Sequence, residues 1–239
     1  MIAQRRIEQR AGEFGEARRV AKNPLASVER RCLLWLASRL PRRVNSDHLT
    51  MLALLAMALT GASYAAARFT RIGLLLAVVG LVVNWFGDSL DGTIARLRHH
   101  ERPRYGFYVD HVVDCIGVAM LVAGLGLSGY MSPIVAASFL VAYFMLSIEV
   151  YLATYCLAVF RLSFWGVGPT ELRILLAIGT LALLSDPEVA ILGQPYRLFD
   201  VGGVVAIICI GVTLAATVTR NVQILYRAEA LPQPAPWDR

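Results

Sequence analysis

Residues 72–127 read IGLLLAVVGLVVNWFGDSLDGTIARLRHHERPRYGFYVDHVVDCIGVAMLVAGLGL. Two apolar runs, residues 72–86 and 107–127, flank a short segment that is rich in arginine and histidine. A bilayer core about 30 Å thick needs roughly 20 mostly apolar helical residues for each crossing. The pattern therefore predicts two antiparallel membrane helices that are joined by a basic loop.

Outward from this pair, the chain contains four more apolar runs that can cross a bilayer. Hydrophobic residues make up 57% of the chain and charged residues only 17%, whereas ordinary soluble domains have about 25% charged residues. This composition predicts an all-α integral membrane protein with six transmembrane helices. The remaining four spans are predicted at residues 49–67, 133–160, 172–184 and 201–225.

The distribution of basic residues predicts the orientation of these spans. When the N-terminus is placed inside, only three of the 23 Lys and Arg residues fall in the outer loops, namely Arg68, Arg71 and Arg197. Basic residues concentrate on the cytoplasmic side of membrane proteins. We therefore expect both termini in the cytoplasm, a location in the inner membrane, and no secretory signal peptide before the first span.

The chain divides into four predicted parts. Residues 1–23 form a charged arm, residues 24–41 a juxtamembrane amphipathic helix, residues 47–226 the six-span domain, and residues 227–239 a C-terminal tail. One stripe of the amphipathic helix is apolar, which predicts a helix that lies on the cytoplasmic leaflet. The alternative is a helix docked on the protein itself. The stripe consists of Leu25, Val28, Cys32, Trp35, Leu36 and Leu40.

Four aspartates lie where the central pair of helices meets the basic loop. Asp88 and Asp91 are three residues apart, and Asp110 and Asp114 are four residues apart. These spacings place each pair on one helix face, and antiparallel neighbours bring the two pairs opposite each other. Ionisable residues inside membrane spans are energetically costly, which favours a functional role.

Four carboxylates at one membrane edge repel one another strongly where the dielectric constant is low. A salt bridge from Arg96 relieves part of this repulsion, whereas two divalent cations neutralise it fully. Oxygen ligands suit Mg²⁺ or Mn²⁺, and Mg²⁺ commonly combines carboxylates with substrate phosphates. The aspartates therefore predict a site for two such ions and a pyrophosphate-bearing substrate. Gly92, Ala95 and Gly106 remove bulk there, either for this substrate or for close helix packing.

The pattern Asp88-x2-Asp91-Gly92-x2-Ala95-Arg96-x9-Gly106-x3-Asp110-x3-Asp114 resembles the signature of the CDP-alcohol phosphatidyltransferases, also called CDP-alcohol phosphotransferases. All eight specified positions are present. The resemblance extends to the six spans and the amphipathic helix. Residues 45–50, NSDHLT, also resemble the family's Thr-Pro-Asn-x-Leu-Thr segment before the first span, with Ser46 in place of the proline.

This resemblance implies a role for each residue of the signature. Asp114 is implied as the general base, which also touches the second metal ion. The implied metal ligands are Asp88, Asp91, Asp110 and Asp114. The implied nucleotide site is lined by Asp88, Gly92, Ala95, Arg96 and Gly106. The resemblance further implies a homodimer whose active site faces the cytoplasm, with no role for nucleic acid.

Acceptor-binding residues are predicted in the fourth and fifth spans. An acid within the fourth span, Glu149, either contacts the acceptor or forms a structural pair with another polar residue. Arg161 and Arg173 either hold an acceptor phosphate or anchor the helix ends at the cytoplasmic surface. Glu171 belongs to the sequence Gly-Pro-Thr-Glu, residues 168–171, which resembles the aminoalcohol phosphotransferase branch of the family but also suits a helix start.

Three functions are consistent with this sequence. The first is transfer of a phosphatidyl group from CDP-diacylglycerol to a small polar alcohol, with release of CMP. The second is the reverse arrangement, in which CDP-choline or CDP-ethanolamine donates its phosphoalcohol to diacylglycerol. The third is an ion or metal transporter, but transporter sites usually lie at the membrane midplane on broken helices. The four aspartates lie instead at one membrane edge, on spans without such breaks.

Overall fold

The computed structural model describes residues 18–20, 26–161 and 167–229. Most of the predicted arm and tail, residues 1–17 and 230–239, therefore lies outside the described residues. Within them the chain forms seven helices and four strands of three or four residues. The helices are α1 (Ala26–Arg39), α2 (Ser46–Ala66), α3 (Ile72–Leu97), α4 (Pro103–Leu127), α5 (Pro133–Leu157), α6 (Pro169–Ala182) and α7 (Leu198–Ala228). The strands are β1 (Arg18–Val20), β2 (Val159–Arg161), β3 (Glu188–Ile191) and β4 (Gln194–Arg197).

Five of these helices are long and apolar enough to cross a membrane, namely α2, α3, α4, α5 and α7. This confirms the predicted all-α membrane fold. The helix of the predicted fifth span, α6, has only 14 residues. At 1.5 Å per residue its length is about 21 Å, which is less than the thickness of a bilayer core.

The contacts of α6 place its start beside Asp88, nine residues before the end of α3, and its end beside the start of α3. Near the start of α6, the Arg173 guanidinium contacts Asp88 in the last third of α3. Just after α6, the Leu184 carbonyl accepts a hydrogen bond from the Arg71 side chain, which directly precedes α3. In the last turn of α6, the Thr180 hydroxyl lies 2.5 Å from the buried Tyr64 hydroxyl of α2. Helix α6 therefore runs antiparallel to α3 along much of the apolar part of the bundle.

The centre of the bundle is the packing of α2 against α3 and α4, and glycines permit it. A Cβ atom on Gly124 of α4 would collide with the backbone of Gly61 in α2, and one on Gly61 would collide with the backbone carbonyl of Met120. Nearer the start of α2, a Cβ atom on Gly87 of α3 would lie 2.7 Å from the Leu49 carbonyl oxygen. Small residues allow helix backbones this close in membranes. The close packing holds α3 and α4 on either side of α2.

Helix α1 docks on α3 with only part of the predicted stripe, because Leu36 and Leu40 pack against the buried cluster, while Leu25 lies outside the described residues. Leu33 and Ala37 are buried in a cluster with Leu90 of α3. Val28 and Trp35, which were predicted to share one apolar face, are 66% and 53% exposed. The prediction placed the apolar residues of α1 on one face. In the structure one face of α1 packs against the bundle, and Val28 and Trp35 remain exposed.

The strands form two small sheets that the helical patterns did not predict. Strands β3 and β4 form an antiparallel hairpin between α6 and α7. Strand β1 pairs in parallel with β2, which follows α5 after Ala158 in the left-handed conformation (φ 53°). Strands of this length carry too few residues to show a period of two, so the pattern of apolar residues could not reveal them.

Candidate metal and nucleotide site

Three of the four predicted carboxylates come together in the described structure. Asp88 of α3 and Asp110 and Asp114 of α4 each place one oxygen within 4.8 Å of the others. The spacing of four residues stacks the two aspartates of α4 on one face, and the packing of both α3 and α4 on α2 brings Asp88 to them. The cluster is partly exposed, so small ions can reach it.

Asp91, the fourth predicted ligand, lies outside this group. Its carboxylate accepts a hydrogen bond of 2.6 Å from the Thr50 hydroxyl and one of 2.5 Å from the Gly92 backbone N–H. The Ser46 hydroxyl donates to its backbone carbonyl at 3.1 Å. These contacts connect Asp91 to the first turns of α2. The residue is buried, with 8% of its surface exposed.

Asp88 is held by an arginine from a distant part of the chain. The Arg173 guanidinium of α6 lies 2.5 Å from the Asp88 carboxylate, and its Nε donates to the Asn84 side-chain oxygen at 2.8 Å. The Asn84 amide in turn donates to the Ala53 carbonyl of α2 at 3.1 Å. The carboxylate is thus oriented by a chain of polar contacts across three helices.

The cluster has the donor chemistry of a divalent metal site. Carboxylate oxygens are the preferred protein ligands of hard cations such as Mg²⁺ and Mn²⁺. Three carboxylates in one small volume also repel one another, and a divalent cation between them would remove that repulsion. The residues therefore fit the metal ions that the signature implies, with Asp88, Asp110 and Asp114 best placed to hold them.

The predicted nucleotide-site residues lie on the surfaces of α3 and α4 near this cluster. A Cβ atom on Gly106 would meet nothing within 4 Å, and one on Gly92 would only touch the Arg96 guanidinium at 3.4 Å. Neither glycine is thus required by helix packing, unlike Gly61, Gly87 and Gly124. Arg96 is exposed, and its guanidinium lies 3.5 Å from the Thr93 hydroxyl.

A basic cleft of about 850 Å³ opens beside Ala95. Its walls come from the turn between α1 and α2 and from the loop between α3 and α4. Arg98 is fixed by contacts with backbone carbonyls of the turn, including those of Leu40 and Val44, and Arg102 pairs with Asp47 at 2.9 Å. The charged and imidazole side chains of the cleft are Arg42, Arg43, Asp47, Arg98, His99, His100, Glu101 and Arg102. The cleft therefore carries an excess of positive charge.

The predicted acceptor residues do not form one group in the described structure. Glu149 accepts a hydrogen bond of 2.6 Å from Asn221 of α7, and both line a small pocket between α5 and α7. Glu171 accepts a hydrogen bond from the Gly168 N–H at the start of α6. Arg173 contacts Asp88, and the side chain of Arg161 lies outside the described residues. The contacts of Glu149 favour the structural pair over substrate contact.

Two polar residues of the site were not predicted. Thr50 contacts Asp91, and Asn84 holds Arg173, although neither was assigned a role. Asn84 could have been predicted from the sequence, because an amide within an apolar span needs a hydrogen-bond partner and Asn84 lies one helical turn before Asp88. Thr50 belongs to the segment 45–50 that resembles the family, but the resemblance did not indicate its partner, and a threonine in a helix can also bond to the preceding turn of its own helix.

Comparison with known proteins supports the sequence resemblance. The family model for CDP-alcohol phosphatidyltransferase matches residues 44–222. The match begins just before α2 and ends within α7, so it includes the whole aspartate cluster. A search of curated proteins found no match for this chain.

Proposed function

Because the chain belongs to the CDP-alcohol phosphatidyltransferase family, we propose that it transfers a phosphatidyl group from CDP-diacylglycerol to a small polar alcohol and releases CMP. The family consists of transferases of substituted phosphate groups, which act in phospholipid biosynthesis and depend on divalent metal ions. The choice of donor, the acceptor and the two Mg²⁺ or Mn²⁺ ions are the finer parts of the proposal.

The observation that carries the proposal is the convergence of Asp88, Asp110 and Asp114 within 4.8 Å. We assign these carboxylates to the metal ions, together with Asp91, whose orientation is restrained by hydrogen bonds from the Thr50 hydroxyl and the Gly92 N–H. Bound divalent ions supply positive charge to the phosphate oxygens and to the leaving group during the displacement.

Asp114 is the proposed general base. In this role its carboxylate accepts the proton of the acceptor hydroxyl while the acceptor oxygen forms its bond to the phosphorus that carries the lipid. The bond between that phosphorus and the CMP oxygen breaks, and CMP leaves with the bonding electron pair. A positioned carboxylate is well suited to this proton transfer. Asp110, one turn before it on α4, adjoins the base.

The basic cleft beside Ala95 supports binding of a nucleotide donor. A CDP-linked donor carries two negatively charged phosphates, and arginine side chains bind phosphate oxygens through paired N–H donors. Arg42 and Arg43 are exposed in the cleft, whose volume of about 850 Å³ accommodates a group larger than a phosphate ion. We therefore place the nucleotide between this cleft and the aspartate cluster, next to Gly92 and Gly106.

Substitution of Gly106 by alanine tests this placement. The added methyl group meets no protein atom within 4 Å, so we expect thermal stability that is unchanged or slightly raised, but a KM for the CDP-linked donor that is raised by roughly tenfold, about 1.4 kcal/mol of lost binding. The matched control is Gly202→Ala in α7, where the methyl group also meets open space. Equal KM values for the two variants would move the nucleotide away from Gly106.

We also propose that α6 crosses the membrane as the sixth span. Its ends lie beside the two ends of the apolar part of α3, and with six crossings the β3–β4 hairpin and the loop between α3 and α4 face opposite sides. The arginine distribution then places the aspartate cluster on the cytoplasmic side of the inner membrane. There a water-soluble nucleotide and a membrane-embedded lipid tail both reach the site.

Labelling of introduced cysteines tests this topology. Leu192 in the hairpin is fully exposed, and His100 lies in the exposed loop between α3 and α4. In a background in which the four native cysteines are replaced, Leu192→Cys should react with a membrane-impermeant maleimide in intact cells. His100→Cys should react only after permeabilisation. Labelling of both positions under the same condition would contradict the six-span arrangement.

The aminoalcohol phosphotransferase alternative has less support from the structure. Its sequence basis was the segment 168–171, and there the Glu171 carboxylate accepts the Gly168 N–H in the first turn of α6. A helix start therefore accounts for the glutamate without a substrate. The transporter interpretation has no support from the family, since its members are transferases.

The decisive experiment measures CMP release by the purified protein. The protein is given CDP-diacylglycerol with serine, glycerol 3-phosphate, inositol phosphate, inositol or ethanolamine in turn, with and without Mg²⁺ or Mn²⁺. We expect metal-dependent CMP release with one of these acceptors. If no acceptor releases CMP while CDP-ethanolamine with diacylglycerol does, the reverse arrangement is correct. Metal-independent release would contradict the proposed mechanism.

A further inference from the structure

Arg173 contacts one of the carboxylates that are expected to bind a metal ion. The Arg173 guanidinium and the Asp88 carboxylate are 2.5 Å apart, and their side chains are only 16% and 19% exposed. Asp88 is also one of the three carboxylates that lie within 4.8 Å of one another. Arg173 therefore neutralises part of the negative charge of the cluster from a position adjoining it.

The arginine is held in place from two directions. Asn84 accepts a hydrogen bond from its Nε and is itself anchored to the Ala53 carbonyl. The first turn of α6 is fastened by the Thr170 hydroxyl, which donates to the Glu29 carboxylate of α1 at 2.6 Å. These contacts restrain the start of α6 and the Nε of Arg173, while the terminal nitrogen Nη2 donates to the Asp88 carboxylate.

The ion pair conflicts with a loaded metal site. A divalent ion bound by Asp88 places two positive charges near the guanidinium, and charges of the same sign repel strongly at such distances in a partly buried site. The guanidinium and the ion also compete for the same carboxylate oxygens. A phosphate group held by the metal ions restores a negative partner for the arginine, with oxygens that match its planar set of donors.

We infer that Arg173 exchanges partners during the reaction cycle: it pairs with Asp88 while the site holds no metal ion, and with a donor phosphate once metal and nucleotide are bound. This inference rests on the proposed function, because it requires a metal ion and a CDP-linked donor at this cluster. It gives Arg173 opposite effects on the binding of two ligands. It weakens the binding of the metal ion alone and strengthens the binding of the nucleotide diphosphate to the metal-loaded protein.

The test measures two dissociation constants for the purified protein in detergent. The first is that of Mn²⁺ alone, followed by the electron paramagnetic resonance signal of the free ion. The second is that of CDP at saturating Mn²⁺, measured by equilibrium dialysis. In Arg173→Gln we expect Mn²⁺ to bind roughly tenfold more tightly, the scale on which groups that contact metal-ligating carboxylates alter metal affinity. We expect CDP to bind roughly tenfold more weakly, for loss of one charged phosphate contact.

Two further variants complete the design. Arg68→Gln removes the same charge from an exposed position next to the end of α2, far along the chain from the cluster, and should leave both constants as in the wild type. Arg173→Lys retains the charge and should return both constants towards the wild-type values. A folding defect in Arg173→Gln would weaken both ligands together, so opposite changes in the two constants cannot arise from misfolding.

The outcomes separate this inference from the proposed function. If the wild type binds neither Mn²⁺ nor CDP, the proposed function fails. If the wild type binds both, but Arg173→Gln changes both constants in the same direction or leaves CDP binding unchanged, the exchange of partners is wrong while the proposed function stands. Tighter Mn²⁺ binding together with weaker CDP binding supports the inference.

Discussion

Substitution of Asp114 by asparagine should reduce CMP release by about 10²–10⁴-fold, the usual contribution of a positioned general acid or base. The amide keeps the shape of the side chain but cannot accept the proton of the acceptor hydroxyl. Asp88→Asn should cause a loss of similar size for a different reason, because it removes one of the three clustered carboxylates. The measurement is the initial rate of CMP release at saturating metal ion and both substrates.

The two variants are distinguished by metal binding. Asp88→Asn should clearly weaken Mn²⁺ binding. Asp114→Asn should still bind the first Mn²⁺ ion, because Asp114 is proposed to act as the base and to touch only the second ion. The control is Glu188→Gln, which removes a carboxylate charge from the exposed hairpin after α6 and should leave the rate unchanged. Wild-type rates in both Asp88→Asn and Asp114→Asn would exclude the aspartate cluster as the active site.

Substitution of Gly124 by alanine should destabilise the bundle severely. The new Cβ atom would collide with the backbone of Gly61, which cannot move aside as a flexible side chain could. Overpacking costs about 1–3 kcal/mol and occasionally more, and here it would push α4 away from α2. In an ordinary helix the same substitution stabilises by about 1 kcal/mol, so the expected change has the opposite sign.

The measurement is the midpoint of thermal unfolding in detergent. Gly211→Ala in α7 is the matched control, since its methyl group would meet open space and should leave the midpoint unchanged or raise it. Because α4 carries Asp110 and Asp114 and α3 carries Asp88, Gly124→Ala should also reduce Mn²⁺ binding. An unchanged midpoint would show that the two helices are less closely packed than the structure indicates.

Most of the fold could be predicted from local patterns. The apolar runs located the spans because a bilayer imposes a minimum helix length, and four of the predicted spans correspond to long helices with boundaries shifted by a few residues. The predicted second span illustrates the limit. Its apolar run stops at Phe86, but the helix continues to Leu97, since the polar turns that carry Asp88 and Asp91 keep their backbone hydrogen bonds.

The candidate site was predicted in part. Spacing alone paired the aspartates along each helix, and the structure brings Asp88, Asp110 and Asp114 together. The spacing could not indicate that Asp91 forms a hydrogen bond with Thr50, 41 residues away, or that Arg173 contacts Asp88, 85 residues away. Such contacts depend on how helices far apart in the chain rotate against one another, which no local period encodes.

The sequence by itself determined the membrane fold class, the family and the carboxylates of the candidate site. These follow from quantities that a local stretch carries: apolar length, helical spacing and the eight positions of one signature. The tertiary structure decided which face of α1 is buried, how α6 lies against α3, and which partner each aspartate takes. The physical reason is packing between residues far apart in the chain: backbone contact at glycines such as Gly61 and Gly124 sets the positions of α2 and α4, and side-chain contacts position α1 and α6.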